Sequence, residues 1–296
     1  MRRSVRNRLA ESLLRAFEDP GKVDALLWVK LYCDLARRGN RPAVPLLDLL
    51  AERERLPDRR DDGASDLASL TGASGLFRVH RADTGEELPG GSGIPAGNIP
   101  WMVGLEPEAR PALPEVCERT GIYLEVLASL PEAVGEPPGA DSLRRAVTQA
   151  AACFNAGLFF EAHEHLEAFW RSQPKGPTRR FLQGIIQISV GFHHARRGSY
   201  DGAVNQLAKG LEKTAGVTGE ILGLDCDTFL PAVAGIWEMI AARGRASMRP
   251  IHLHEIPLMP VSGLSRAQRK GEGKDDGRPG GSRGAKVNSP LGGRER

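Results

Sequence analysis

Two copies of one helical-hairpin pattern lie 41 residues apart and limit the fold more than any other feature of the chain. The stretch FNAGLFFEAHEHLEAFW at 154–170 aligns with ARRGSYDGAVNQLAKGL at 195–211, so that Gly157 falls on Gly198. Glycine ends a helix readily because it adopts the left-handed cap at little cost, and the alanine five residues later lets two helices approach closely. Since only two copies occur, an extended solenoid is not expected. The pattern predicts a compact pair of antiparallel helical hairpins with tetratricopeptide-like packing.

Composition divides the chain into five segments, of which three carry helical periodicity. They are an N-terminal helical segment at 1–56, a Gly/Pro-rich flexible insert at 57–111, a helix and linker at 112–139, the helical domain at 140–245, and a disordered basic tail at 246–296. The predicted fold class is therefore all-α, with the N-terminal helical segment added to the hairpin domain. Inside the insert, the alternating stretch LFRVH is the one candidate for a short strand.

Charge and cysteine usage exclude several classes of protein. The formal net charge is only +3, from 40 basic and 37 acidic residues, which does not indicate a nucleic-acid-binding protein. No apolar run reaches the roughly 18–20 residues of a membrane helix, and no apolar stretch follows the Arg-rich start, so we expect no secretory signal. The four cysteines form no C-x-x-C pair, and we expect them to be reduced, mostly buried thiols in a cytoplasmic protein: Cys33, Cys117, Cys153 and Cys226.

The stretch FFEAHEHLEAFW places histidine and glutamate among large apolar residues. At about 100° per residue, His163, Glu164 and Glu167 share one arc of a helix with Phe160 and Trp170. Because two large aromatic side chains flank it, we expect this arc to face inward. The same helical wheel places His165 on the opposite side, where the side chain points away from the arc.

A second polar stripe runs along the next predicted helix, which is otherwise almost wholly apolar. Gln183, Gln187 and His194 lie on one side of it. A helix that is apolar nearly all round is buried, and its polar groups then need partners inside the protein. The connecting loop is short, so the two helices should be antiparallel neighbours whose stripes satisfy one another.

Three interpretations of this polar cluster stay open. It is a structural hydrogen-bond network that fixes helix register, a metal site with His163, Glu167 and His194 as candidate ligands, or an acid–base site with a glutamate whose pKa is raised by burial. The sequence HEHLE differs from the H-E-x-x-H zinc motif, because the last position is Glu167 rather than histidine.

These residues resemble the domain of unknown function 309 family, a group of small all-helical proteins, over about 141–215. The residues that match its pattern are Phe154, Asn155, Gly157, Phe159, Glu161, Ala162, His163, Glu164, Leu166, Glu167, Trp170, Phe181, Gln183, Gly184, Ile186, Gln187, His194, Arg197, Gly198, Ser199, Gly202 and Ala203. The resemblance implies a helical fold and no particular activity. It adds Asn155, Glu161, Trp170 and Arg197 as supporting residues. His165 and His193 depart from the family pattern, which makes both poor functional candidates.

The sequence therefore predicts a cytoplasmic helical binding or scaffold module whose distinctive site is the His/Glu/Gln cluster. The alternative is a metal-binding protein or metal-dependent hydrolase that uses the same residues with a divalent metal as cofactor, and whether the chain is an enzyme stays open. Ligand and partner stay open as well, including a second copy of the chain or another protein, but no membrane. Nucleic acid would bind only through the basic tail and the pairs Arg179–Arg180 and Arg196–Arg197, and such short pairs are more often a solvated face.

Overall fold

A computed structural model of the chain describes residues 1–56, 75–88, 100–130 and 140–264. Within these ranges, the N-terminal half shows four α-helices and a small sheet. The helices are α1 (Arg3–Glu18), α2 (Val23–Gly39), α3 (Leu46–Glu54) and α4 (Leu113–Ser129). The apolar face of α1 is fully buried through Val5, Leu9 and Leu13, so the Arg-rich start of the chain is a helix packed into the protein.

The following block forms two helical hairpins and a last helix. They are built from α5 (Ala140–Asn155), α6 (Phe159–Ser172), α7 (Pro177–Arg196), α8 (Tyr200–Lys213) and α9 (Cys226–Arg243). Gly157 and Gly198 end the first helix of each hairpin with φ of 79° and 69°, which confirms the role that the internal repeat assigned to them. The predicted pair of helical hairpins is thus present.

Glycines bring α7 and α8 into close contact. A Cβ atom built on Gly191 would lie 2.7 Å from the side chain of Leu207, and one built on Gly202 would lie 2.4 Å from the ring of His194. The backbones of the two helices approach this closely because these positions lack side chains. As a consequence, the ring of His194 packs flat against α8.

The fold is mostly helical but not purely all-α, so this part of the prediction is wrong. Strands β1 (Ala43–Pro45), β2 (Phe77–Arg81) and β3 (Trp101–Leu105) form an antiparallel sheet in the order β1-β3-β2, with Val44 and Val79 both opposite Val103. The alternating stretch LFRVH did form a strand. Its partners were missed because β1 has only three residues and β3 follows a Gly/Pro-rich stretch. Two further strands of two residues each, β4 (Glu220–Ile221) and β5 (Leu224–Asp225), form an antiparallel hairpin before α9.

Residues 246–264 pack across the turns of both helical hairpins. The side chain of Asn155 pairs with the backbone of Met259, accepting from its N–H at 2.7 Å and donating to its C=O at 3.0 Å. Leu253 and Pro250 lie directly on Gly157 and Gly198. The start of the predicted basic tail is therefore part of the folded protein, whereas its remainder, 265–296, lies outside the described residues.

The predicted division into domains remains a prediction. Residues 57–74 and 89–99 of the predicted insert and 131–139 of the predicted linker lie outside the described part of the chain. Buried apolar side chains of α1–α4, the sheet and α5–α9 belong to one continuous hydrophobic cluster. Among the described helices, none is long and apolar enough to cross a membrane.

Cys33 of α2 and Cys117 of α4 form a disulfide, which contradicts the expectation of four reduced thiols. Their Cα atoms are 5.5 Å apart, within the usual range for a disulfide. Cys153 and Cys226 are free and buried, as expected. The pairing was not readable from the sequence, because it depends on the packing of two helices that are 84 residues apart.

We predict that reduction of this disulfide destabilises the protein. Closing a loop of this length contributes about 4–5 kcal/mol in the chain-entropy model. Denaturant unfolding of the wild type with and without a thiol reductant measures the difference. Cys33→Ala serves as the control and should show no response to the reductant; equal stability of the wild type under both conditions would contradict the prediction.

Candidate functional site on helix α6

The inner face of α6 carries a fully buried carboxylate. Glu161 is 0% exposed and faces α4, where the guanidinium of Arg119 donates to both of its oxygens, at 2.6 Å and 2.6 Å from Nη2 and 2.9 Å from Nε. The Tyr123 hydroxyl donates to Glu161 Oε1 as well and receives a hydrogen bond from Arg119 Nε at 3.0 Å. A buried charge is tolerated only when it is paired and hydrogen-bonded, and this arrangement meets both conditions.

The pKa values of the neighbouring groups follow from this pair. Burial alone would lower the pKa of Arg119, but the charges and hydrogen bonds of Glu161 and Tyr123 together outweigh burial and hold that pKa above its ordinary value. Burial and then the same carboxylate raise the pKa of Tyr123 and that of the Cys153 thiol. Arg119 is therefore a permanent cation, and Tyr123 and Cys153 stay neutral, so this part of the interior is not a source of protons or nucleophiles.

The inner face also contains a buried histidine. His165 is 4% exposed, and its Nε2–H donates to Gln149 Oε1 of α5 at 2.9 Å. Its ring contacts Phe17 of α1 and Phe169 edge-on, with centroids 5.0 Å and 5.2 Å away. Burial lowers the pKa of His165 to about 4, so the imidazole is neutral at pH 7.

The helical wheel was wrong about His165, which it placed on the outer side of α6 and the structure buries, while the arc of His163, Glu164 and Glu167 is half-buried. It took Phe160 and Trp170 as markers of the inward arc. In the structure, arginine side chains lie over both rings: the guanidinium carbon of Arg6 is 3.6 Å from the centroid of Phe160, and that of Arg179 is 4.3 Å from the centroid of Trp170. The opposite face is buried by α1, α4 and α5, and nothing in the repeat or the family pattern says what those helices contact. Arg119, Tyr123 and Gln149 were accordingly missed. The one available signal was Glu161 itself, a charged residue in the family pattern that the wheel did not explain.

The outer arc of α6 consists of His163, Glu164 and Glu167, all half-buried. One ligand atom of each lies within 4.8 Å of the others. His163 Nε2 is 3.2 Å from Glu164 Oε1, while Glu167 accepts from Arg171 at 2.8 Å. The buried Nδ1 of His163 has no hydrogen-bond partner among the described residues, and it is a lone-pair acceptor in the tautomer whose proton is on Nε2, beside Glu164.

The stripe on α7 is half-buried too, but it does not complete a network with the outer arc. In the part of the chain that the structure describes, no hydrogen bond or ion pair joins the two stripes. Gln187 Oε1 is buried and unpartnered. His194 packs on Gly202 of α8 and is not among the residues whose ligand atoms converge, so the structure does not bring it to His163 and Glu167.

His193, which the sequence comparison set aside, lies beside this site. Its ring centroid is 6.2 Å from that of Phe160. Burial first, then the charges of Arg6 and Arg197, and then His194 and His163, together lower the pKa of His193 to about 4. The charged neighbours that act on this imidazole are thus all basic.

Most supporting residues have structural roles. Asn155 holds residue Met259, and Glu161 holds α4, as described above. Arg179 lies on Trp170 and donates to the last carbonyls of α6, while Arg180 and Arg196 donate to the carbonyls of Lys213 and Ile251. Three members of the two arginine pairs therefore cap or join elements of the fold, which argues against these pairs as a nucleic-acid surface.

Comparison with known proteins confirms the resemblance. Residues 147–206 match a domain of unknown function, DUF309, and this match contains α6, α7 and both polar stripes. The uncharacterized protein YpuF of Bacillus subtilis (strain 168) is a distant homologue, 32% identical over 84 residues, which are 28% of this chain and 48% of that protein. The chain thus spans about half the length of the curated relative it matches. No solved structure matches the chain significantly.

We predict that His165 makes the fold sensitive to mild acid. Its folded pKa of about 4 is below the value of about 6.5 expected in the unfolded chain, so the unfolded state takes up the proton first. Stability is complete above about pH 6.5 and falls as the pH decreases toward 4, by about 2 kcal/mol between pH 7.5 and 5. Denaturant unfolding at the two pH values measures this loss.

The matched controls are His165→Gln, which keeps a hydrogen-bonding group without a titrating ring, and His254→Gln, which removes an exposed histidine. The His165→Gln variant should lose clearly less stability between the two pH values than the wild type, and His254→Gln should behave like the wild type. An identical pH response of His165→Gln and wild type would refute the assignment.

Proposed function

We propose that the helical domain is a binding module and that its ligand face consists of the outer arc of α6 together with Gln183 and Gln187 of α7. The observation that carries this proposal is a pair of buried atoms, His163 Nδ1 and Gln187 Oε1, that have no partner in the described part of the chain. The two atoms lie on the adjacent helices α6 and α7, and the half-exposed carboxylates of Glu164 and Glu167 accompany them on α6. Unsatisfied buried polar atoms are rare in folded proteins because each costs about 1–3 kcal/mol, and a bound ligand is one way to satisfy them.

The inner face of α6 supports the same proposal. Glu161 and His165 have their partners in α4 and α5, and they join the hairpins to the N-terminal helices without help from the outer arc. The fold therefore does not need the outer polar residues for its stability. Residues that cost stability are typical of functional sites, where activity and stability compete.

We predict that Gln187→Leu leaves stability unchanged or raises it by about 0.5–1 kcal/mol, since it removes an unpaired buried amide. Gln149→Leu is the matched control, because Gln149 bonds to His165 and donates to the Phe17 carbonyl at 3.4 Å. That variant should lose about 1–3 kcal/mol by leaving partners unsatisfied. Thermal and denaturant unfolding compare the two. A loss for Gln187→Leu as large as for Gln149→Leu would show that the arc is a structural network.

A divalent cation is the second candidate ligand, favoured by the convergence of His163, Glu164 and Glu167 within 4.8 Å. An imidazole whose far nitrogen donates to a carboxylate is a common form of metal-binding histidine, and Glu164 is placed to accept from His163 Nε2. The carboxylate of Glu167 would supply a second ligand. The hydrolase alternative depends on this cation, which would polarise the substrate or activate water.

Titration calorimetry of the full chain with Co²⁺ or Zn²⁺ tests the cation. We expect one bound ion per chain, loss of binding in His163→Ala and weaker binding in Glu167→Gln. His194→Ala is the control, because His194 packs against α8 and should not affect affinity. Absence of stoichiometric binding, or an equal effect of His194→Ala and His163→Ala, would eliminate this candidate.

A cytoplasmic location is retained as a prediction from the sequence. The Cys33–Cys117 disulfide weakens its basis, because disulfides persist mainly in oxidising compartments. Thiol labelling of the protein in fresh extract of its host distinguishes a reducing from an oxidising compartment. Labelling of both Cys33 and Cys117 supports the cytoplasm, and protection of both contradicts it.

A further inference from the structure

The ring of Phe160 lies where α1, α6 and α7 meet, and basic side chains surround it. The guanidinium carbon of Arg6 is 3.6 Å from the ring centroid, which places the cation flat on one face of the ring. The imidazole of His193 approaches from α7, with its centroid 6.2 Å from that of Phe160, and the imidazole of His163, which lies on α6 like Phe160, is 5.0 Å away. Phe160 itself is buried, so these side chains form the rim of a small apolar floor.

The guanidinium of Arg6 has no charged acceptor among the residues that the structure describes. Arg6 Nε is buried and has no hydrogen-bond partner in the described residues, and Arg6 Nη2 reaches only the neutral oxygen of Asn7 at 3.3 Å. The carboxylate of Glu161 acts on Arg6, but it pairs with Arg119. A desolvated guanidinium edge without an acceptor is costly, and an anion would remove that cost.

Arg197 adds a second positive charge near Arg6 and His193. It follows His193 by four residues, so the two lie on the same side of the end of α7. Its charge acts on both Arg6 and His193. Arg197 also belongs to the part of the chain that matches DUF309, whereas Arg6 lies outside it.

The first turn of α1 also favours a bound anion. It contains no acidic residue, and its N-cap residue Arg2 makes no side-chain cap, so neither offsets the positive end of the helix dipole. Basic residues at the end of α7 are also explained by the opposite dipole there, but that dipole does not explain why Arg6, from another helix, has a buried N–H without an acceptor.

We propose that Arg6, His193 and Arg197 form a binding site for an oxyanion, namely the carboxylate or phosphate group of a small ligand, above the ring of Phe160. The anion accepts from the Nε edge of Arg6 and from the guanidinium of Arg197, and a neutral His193 donates one further hydrogen bond. None of the three donors Arg6, His193 and Arg197 belongs to the His163, Glu164 and Glu167 group, although His163 borders the same ring, so the anion does not require the cation proposed there.

Inorganic phosphate and acetate serve as probes, with chloride at equal ionic strength as the reference. We expect a saturable rise in the thermal midpoint of the full chain in phosphate or in acetate beyond that in chloride. A rise in phosphate alone assigns a phosphate group, and a rise in acetate identifies a carboxylate. The Nε–H resonance of Arg6 should shift in parallel in NMR spectra, which reports binding at this position.

Arg197→Gln should weaken binding of the effective anion about tenfold, because one charge-assisted hydrogen bond is lost. The fold should be unaffected, because Arg197 is exposed. Arg37→Gln removes an equally exposed charge from α2 and should bind like the wild type. Three results would each overturn the proposal: equal midpoints in all three salts, an unshifted Arg6 resonance at saturating anion, or equal weakening by Arg37→Gln and Arg197→Gln. None of them affects the Gln187 experiment, which tests the ligand face of α6 and α7 separately.

Discussion

The hydrogen-bonded ion pair between Glu161 and Arg119 is the interaction on which the arrangement of this protein depends. A fully buried carboxylate without a partner would destabilise the fold by several kcal/mol, so α6 requires a cation on its inner side. Arg119 and Tyr123 supply that partner from α4, which the Cys33–Cys117 disulfide ties to α2. The N-terminal helices are therefore held against the hairpins by an ion pair and its hydrogen bonds as well as by apolar packing.

This constraint gives α6 two faces with different roles. Its inner face is satisfied by Arg119, Tyr123 and Gln149, and it has no polar group left for a ligand. Its outer face retains acceptor atoms without partners, and so does the adjoining stripe of α7. Around Phe160 the unpartnered group is a cation instead of an acceptor. Arg6 of α1 lies there, and the carboxylate of Glu161 that acts on it is already paired with Arg119.

Local sequence information predicted the hairpins and their turns, since Gly157 and Gly198 alone require a left-handed backbone there. It also predicted that the polar residues of α6 and α7 would lie in stripes. It did not predict which stripe is buried, because the burial of a helix face depends on what packs against it. The partners of Glu161 and His165 come from 16 to 42 residues earlier in the chain. The three-residue strand β1 and the disulfide were missed for the same reason, as both depend on contacts between distant segments.

A double-mutant cycle between Arg119 and Glu161 tests this account most directly. With Arg119→Met, Glu161→Met and the double variant, each single change should cost about 3–5 kcal/mol, because it leaves the other charge buried and unpaired. The double variant should lose much less than the sum of the two, which gives a coupling energy of about 2 kcal/mol or more. Losses that simply add, with a coupling energy near zero, would contradict the claim that this pair holds the N-terminal helices to α6.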